Sequence, residues 1–141
     1  MKNEKLKQNV ILKRLKHIQK RVLPKDETNL DNIIFYPQIY HANVIKLNGK
    51  IVGYLVWKEE HHFLKEPTAY VSSFAVLPEH QNKGYGSKLL LLTLNQIKKK
   101  GIKTITVQTL KTNNKAIRFY LKHKFKIIKL EENILTLTYN F

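Results

Sequence analysis

The hydrophobic positions change their period several times along the chain, and each change marks an element. Over residues 3–22, Leu6, Val10, Leu12, Leu15, Ile18 and Val22 recur mostly at three- and four-residue steps. Lys5, Lys7, Lys13, Arg14, Lys16, Lys20 and Arg21 cover most of the rest. This is the stripe of an amphipathic helix that lays its apolar side on a core and leaves a basic face in solvent. The same face suits RNA or a membrane surface. Pro24 ends the segment. Residues 25–38 turn polar and then aromatic, and read as a loop with a short helical turn. Residues 41–47 alternate weakly and residues 51–57 are strand-like. Asn48-Gly49 between them predicts a tight hairpin, because both central positions of a type I′ turn need positive φ. Residues 58–68 read as a charged loop closing near Pro67, and residues 69–77 as the next strand.

The second half repeats the contrast of periods. Residues 86–100 form a helix with Leu89, Leu90, Thr93, Leu94 and Ile97 on its inner face, stopped by Gly101. Residues 103–110 alternate and are rich in β-branched side chains, which marks a strand. A short helix follows over 113–123. Two last strands, 125–130 and 134–139, join through Glu131-Glu132-Asn133. The order is helix, β, β, β, helix, β, helix, β, β. Hairpins and crossover helices coexist in it, so the class is α/β, with a mixed central sheet of about six strands flanked by helices. At 141 residues the chain suits one domain, 1–141, around one core.

Composition narrows the classes. Hydrophobic residues make up 43%, which suits a globular domain and not a disordered one. No apolar run approaches the roughly 18 residues of a membrane span. The N-terminal segment lacks an apolar stretch followed by a small-residue cleavage site, so no secretory signal is expected. Cysteine is absent, which removes disulfides, thiolate metal sites and cysteine nucleophiles and fits a cytoplasmic setting. The formal net charge is +16. That suits a polyanionic partner such as nucleic acid, and it equally suits a lysine-rich surface without specific recognition.

The candidate chemistry begins where the strand 69–77 meets the helix 86–100. Residues 74–87 read Phe-Ala-Val-Leu-Pro-Glu-His-Gln-Asn-Lys-Gly-Tyr-Gly-Ser. A polar loop with two glycines, running straight into a helix, can aim several backbone N–H groups at one point. The first helical turn has no internal acceptors for them, and the helix dipole adds partial positive charge. Such a place holds a phosphate or pyrophosphate. It is not a dinucleotide fingerprint: Gly84 and Gly86 fit G-x-G-x-x-G, but position 89 is Leu. Nothing in the chain matches a Walker A loop.

The pattern present, Gln81-x-x-Gly84-x-Gly86 after a strand, resembles the acyl-CoA pyrophosphate loop of the GCN5-related N-acetyltransferases. A second stretch, 113–125, is similar to the same family's N-x-x-A-x-x-F-Y-x-x-x-G-F segment through Asn113, Ala116, Phe119, Tyr120 and Phe125, with Lys124 in place of glycine. Together they place residues 40–141 in that fold. The first forty residues resemble it poorly. The resemblance implies acetyl-CoA as acyl donor, no metal, and a fourth and fifth strand of the family fold that splay to admit pantetheine. The corresponding strands here are 69–77 and 103–110. By resemblance, Phe74, Ala75 and Val76 bond the pantetheine arm, and the Val76 N–H is the oxyanion donor. Gln81, Asn82, Lys83, Gly84, Tyr85, Gly86 and Ser87 hold the pyrophosphate. Gln81 lacks the charge of the arginine common in the family, which Lys83 and Lys88 can restore. Asn113 caps its helix and reaches the pantetheine arm. Tyr120 protonates the leaving thiolate.

The general base is not specified in the same way. The strand Tyr70-Val71-Ser72-Ser73-Phe74 carries no carboxylate where many family members place a glutamate. Either serine hydroxyl can hold a water. Glu59, Glu60 and His61, just before the strand, are the candidates, and a histidine has the right pKa for the task. His61-His62 does not suggest a metal site, since adjacent strand residues point to opposite faces.

The expected function is acetyl-CoA-dependent N-acetyl transfer to a primary amine of a small molecule or protein, by direct attack in a ternary complex, in a monomer or homodimer. The sequence also leaves open a CoA-binding regulatory module with little turnover. A third reading is a nucleic-acid-associated acetyltransferase acting on charged tRNA or a ribosomal protein.

Overall fold

The computed structural model describes residues 2–141, with side chains from Lys7 onward. The elements are α1 (Lys2–Val22), α2 (Asn32–Phe35), β1 (Tyr40–Leu47), β2 (Lys50–Glu60), β3 (Thr68–Val76), a single 3₁₀ turn (Pro78–His80), α3 (Tyr85–Lys99), β4 (Thr104–Leu110), α4 (Asn114–Lys122), β5 (Lys126–Glu131) and β6 (Ile134–Asn140). Six strands form one sheet in the order β1-β2-β3-β4-β6-β5. The sheet is mixed, as the element order requires. β3 and β4 run parallel, with Ala69 opposite Ile105 and Tyr70 opposite Thr106. β1/β2, β4/β6 and β5/β6 are antiparallel.

The chain packs as two compact units. One takes the residues up to Lys58 together with Ser72–Asn95, and the other takes Glu59–Val71 with Gln96–Phe141. In the first unit, Leu15 and Ile18 of α1 are buried with Leu30, Tyr54, Val56, Ala75 and Leu77. The inner stripe of α1 is Ile11, Leu12, Leu15, Ile18 and Val22. Val10, expected on this stripe, is 69% exposed. At 100° per residue it lies on the far side of the helix from Leu15, and Ile11 takes its place. The side chains of Lys5 and Leu6 lie outside the described residues.

The predicted hairpin is present. Asn48 (φ 51°) and Gly49 (φ 77°) both turn left-handed between Leu47 and its partner Lys50. Further along, Ile45 faces Gly53 while Lys46 faces Ile51, so Val52 is an extra residue in β2. On the side of β3, the Val52 carbonyl accepts the Leu77 N–H at 2.9 Å. Gly53 is closely packed against the end of β3. A Cβ there would lie 3.1 Å from Val76 Cγ2 and 3.2 Å from the Ala75 carbonyl oxygen. The strand also runs longer than expected. β2 continues to Glu60, so Glu59 and Glu60 belong to a strand and not to the loop that follows.

In the second unit, β4 and β6 pair along their full lengths and β5 adds the edge. α4 ends in a two-bond C-cap. The Phe125 N–H bonds the Tyr120 carbonyl at 3.0 Å, and the Lys124 N–H bonds the Leu121 carbonyl at 3.0 Å. That geometry needs a left-handed residue between them, and Lys124 supplies it at φ 69°. The glycine usual at this point of the family motif has the same purpose. Buried Phe125 then stacks 5.3 Å from the Tyr120 ring.

Candidate functional site

The first unit carries the candidate phosphate loop. The 3₁₀ turn after Leu77 is clamped to α1 by a two-pronged ion pair, Arg21 to Glu79, with both N–O distances 2.9 Å. Hydrogen bonding to Arg21 holds the Glu79 carboxyl below the usual carboxylate range. The chain next turns left-handed twice, at Asn82 (φ 61°) and Gly84 (φ 86°), and α3 begins at Tyr85. Left-handed residues within such a turn make a concavity of backbone N–H groups that suits an anion. Gly84 favours this left-handed conformation, and a Cβ there would meet no protein atom within 4 Å. The Lys88 N–H opens the helical ladder by bonding the Gly84 carbonyl at 3.1 Å. The Tyr85 and Gly86 N–H groups come before that point and have no intrahelical acceptor.

Charge and anchoring agree with this use. Lys83 and Lys88 are both exposed beside the loop, and the Lys88 ammonium stands 5.9 Å from the centre of the Tyr85 ring. Gln81 does more than lose a charge. Its side-chain amide donates to the Val76 carbonyl at 2.8 Å, fastening the loop to the end of β3. A donor-rich turn, a helix N-terminus and two lysines fit a pyrophosphate.

On β3 the side chains alternate, with Ser73 and Ala75 buried and Ser72 and Phe74 half-buried; Val76 is buried at the strand's end. Sequence reasoning found no carboxylate on this strand, yet the fold brings one to it. The Ser73 hydroxyl donates to Asp26 Oδ2 at 2.6 Å. The Tyr54 hydroxyl lies 2.7 Å from Ser73 Oγ and donates to it, because the serine proton is directed at Asp26. The Thr28 N–H bonds Asp26 Oδ1 at 3.0 Å, and the Gln19 amide reaches Oδ2 at 3.2 Å. Burial pushes the Asp26 pKa up, but the bonds from Ser73, Thr28 and Gln19 outweigh it, so the carboxyl ionises below its ordinary value of 3.8. Burial holds the Tyr54 phenol well above the ordinary tyrosine range, and the Asp26 charge adds to this. Asp26 and Ser73 are 47 positions apart, and no local spacing links them.

The second unit carries the other candidates. Asn113 is an N-cap, with its side-chain oxygen accepting the Ala116 N–H at 3.2 Å. Tyr120 is 6% exposed. Its ring lies 5.5 Å from Phe119 and 5.3 Å from Phe125. Burial, and then the neighbouring Tyr70, raise the phenol well above its ordinary pKa, so it stays protonated throughout the neutral range. Glu59 and His61 come together, with Nε2 of His61 3.4 Å from Oε2 of Glu59. The Lys100 ammonium stands 2.8 Å from Oε1 of the same carboxylate. Glu60 ends β2 and is half-buried. His62 does not join them; it bonds Thr68 at 3.0 Å.

A donor-rich turn entering a helix, on a mixed six-stranded sheet, suits an acyltransferase that takes its acyl group from CoA. Residues 12–125 match the Acetyltransferase (GNAT) family, and the chain belongs to that family. The match begins inside α1, well before the segment in which the sequence resemblance was evident. No curated protein matches the sequence. Among solved structures, the chain is similar to the PaiA N-acetyltransferase of Thermoplasma acidophilum in complex with coenzyme A, at a TM-score of 0.80 and 16% identity over 92% of each chain. It is also similar to the ribosomal-protein-S18-alanine N-acetyltransferase of Escherichia coli, at 0.75 and 19% identity over 92% of this chain and 86% of that one. A third likeness is to a chain of the NatC complex bound to Gag peptide and CoA, at 0.78 and 17% identity over 92% and 90%. At these identities the likeness is one of fold. The protein is thus an acetyltransferase of the GNAT family, with acetyl-CoA as its acyl donor. No helix among the described residues is long and apolar enough to cross a membrane.

Proposed function

We propose that the protein transfers the acetyl group of acetyl-CoA to a primary amine by direct attack in a ternary complex. The observation that carries this reading is the left-handed turn at Asn82 and Gly84, which leads into the N-terminus of α3 beside Lys83 and Lys88. Bound acetyl-CoA supplies an activated thioester. The protein's own residues do the rest. Residues 81–87 hold the pyrophosphate, and the backbone of Phe74, Ala75 and Val76 lines up the pantetheine arm. The Val76 N–H meets the charge that develops on the carbonyl oxygen, a fixed donor that needs no reorganisation. Tyr120, kept protonated by burial, donates to the departing sulfur. Asn113, already the cap of α4, reaches the pantetheine arm. Proton removal from the amine falls to water, Glu59, Glu60 or His61. Holding both reactants in register supplies much of the rate. A cytoplasmic setting goes with this reading, supported by the absence of cysteine.

The test is a screen of amine acceptors with acetyl-CoA, read by thiol release, beside calorimetry of acetyl-CoA alone. Binding with release on some amine supports the transferase. Binding with no release on any amine supports a CoA-binding module. A second reading, action on tRNA or a ribosomal protein, draws on the +16 charge and the exposed lysines of α1. Salt-sensitive RNA retention would support it.

A further inference from the structure

Glu79 is the one acidic residue between Glu66 and Glu131. It stands two positions before Gln81, where the proposed pyrophosphate loop begins. A carboxylate beside a site for a polyanion opposes binding by like-charge repulsion. Its place calls for something that offsets the repulsion, and Arg21 supplies it. The two terminal nitrogens of Arg21 each meet one oxygen of the carboxylate at 2.9 Å. This forked geometry fixes direction as well as distance. Both side chains are about half exposed. Most exposed ion pairs contribute little, and the forked form is the exception.

Arg21 gives the turn a firm place to fasten to. α1 is held in the core of its unit by Leu15 and Ile18. Seven residues before Arg21, Arg14 donates from Nε to the Ile51 carbonyl at 2.9 Å. Seven residues are close to two helical turns, so both arginines leave α1 on the same side. Ile51 precedes Val52, whose carbonyl holds the Leu77 N–H. One edge of α1 is thus fastened both to β2, beside the residue that receives the end of β3, and to the turn that follows. Gln81 ties the far end of that turn back to the Val76 carbonyl at 2.8 Å. Glu79 is the middle residue of the Pro78–His80 turn, between these two ties. Without the Arg21 fork the turn is held only at its ends.

We propose that Arg21 is a positioning residue for the acyl donor: through its forked pair with Glu79 it holds residues 81–87 in the conformation that receives the pyrophosphate. This rests on the assignment of that loop in the transferase reading above. In this role neither side chain touches the donor. The effect of Glu79 is then opposite in sign to that of its charge. As a charge alone, the carboxylate repels the donor, and its removal strengthens binding. As one half of a strut, its removal weakens binding. Arg21 likewise acts through Glu79 and not as a distant attraction for phosphate.

Calorimetry of acetyl-CoA on the full chain reads the sign. Glu79→Gln should weaken binding about three- to fivefold, and Arg21→Ala by a similar factor, the upper range for an exposed pair. The double variant should be no weaker than either single one, since the same interaction is lost in all three. The gap between wild type and Glu79→Gln should narrow in high salt, which screens an exposed pair. With an accepted amine, KM for acetyl-CoA should rise while kcat stays. Tighter or unchanged binding in Glu79→Gln overturns the proposal, and so do losses from the two single variants that add in full. Should Glu79→Gln not fold, Glu79→Asp keeps the charge but draws it back from the fork. It should show the same loss, and full affinity there overturns the proposal as well. A wild type that binds no acetyl-CoA would instead overturn the loop assignment on which the strut depends.

Discussion

The Phe125 N–H reaches back to the Tyr120 carbonyl at 3.0 Å, and this bond sets the conformation of the residue before it. Lys124 sits at φ 69°, a region where a side chain is crowded against the backbone. Lys124→Gly should stabilise the protein by about 0.5–1 kcal/mol, the strain relieved less the extra freedom of glycine in the unfolded chain. Urea unfolding measures it. A loss of stability would show that the lysine side chain contributes contacts of its own.

Tyr120→Phe removes only a hydroxyl and keeps the ring against Phe119 and Phe125. We expect kcat to fall about 10²-fold or more while acetyl-CoA affinity barely changes. Steady-state kinetics and calorimetry on the same preparation separate the two. An unchanged kcat would assign the tyrosine to packing alone.

Gly84→Val places a β-branched residue at φ 86°. Acetyl-CoA binding should be lost, with far-UV circular dichroism unchanged, because the turn can no longer present its N–H groups together. Retained affinity in a folded variant would remove the loop from the site.

Asp26 gives stability a predictable dependence on acid. Its folded pKa lies below the ordinary 3.8, so the unfolded chain takes up the proton first as pH falls. The stabilisation is complete above about pH 5 and disappears as pH drops through the folded value. The stability gap between wild type and Asp26→Asn should therefore be constant near neutrality and narrow below that range. Denaturant curves at several pH values would show it, and a gap independent of pH would contradict it.

An alkyl ammonium ionises near about 10.4, so little free amine exists at neutral pH. Without a strong base, kcat/KM should climb steadily towards about pH 9. A plateau from about pH 6.5 that vanishes in His61→Ala would identify that residue as the base. The same profile in Glu59→Gln, Glu60→Gln and His61→Ala would leave water as the acceptor.

What could be read in advance was local. The Asn48-Gly49 hairpin, the inner face of α3 and the cap at Asn113 each depend on residues within a few positions of one another. The loop at 81–86 was legible for the same reason, since its glycine and its helix are adjacent. Val10 misled because a stripe drawn through mostly three- and four-residue steps tolerates a neighbour that the true helical angle does not. The charges at Glu59 and Glu60 suggested a loop, although a strand end tolerates charge where it meets solvent. Asp26 was invisible for a different reason. Its meaning comes from Ser73 and Tyr54, which only the folded chain brings near. The glycine missing at 124 was visible as a departure, but its cost could be named only once φ was known.

Gln81 has a consequence for how the enzyme measures its donor. Its side chain holds the Val76 carbonyl, while the Leu77 N–H of the same peptide is held by Val52. That peptide is pinned at both ends, and the loop is pinned to it. In the proposed reaction these two places would grip opposite ends of one long, flexible molecule, and the bonds of Gln81 and Val52 set their separation before it arrives. On that reading the pair would work as a gauge: a donor whose arm is too short or too long could satisfy one grip or the other, and only the right length would satisfy both.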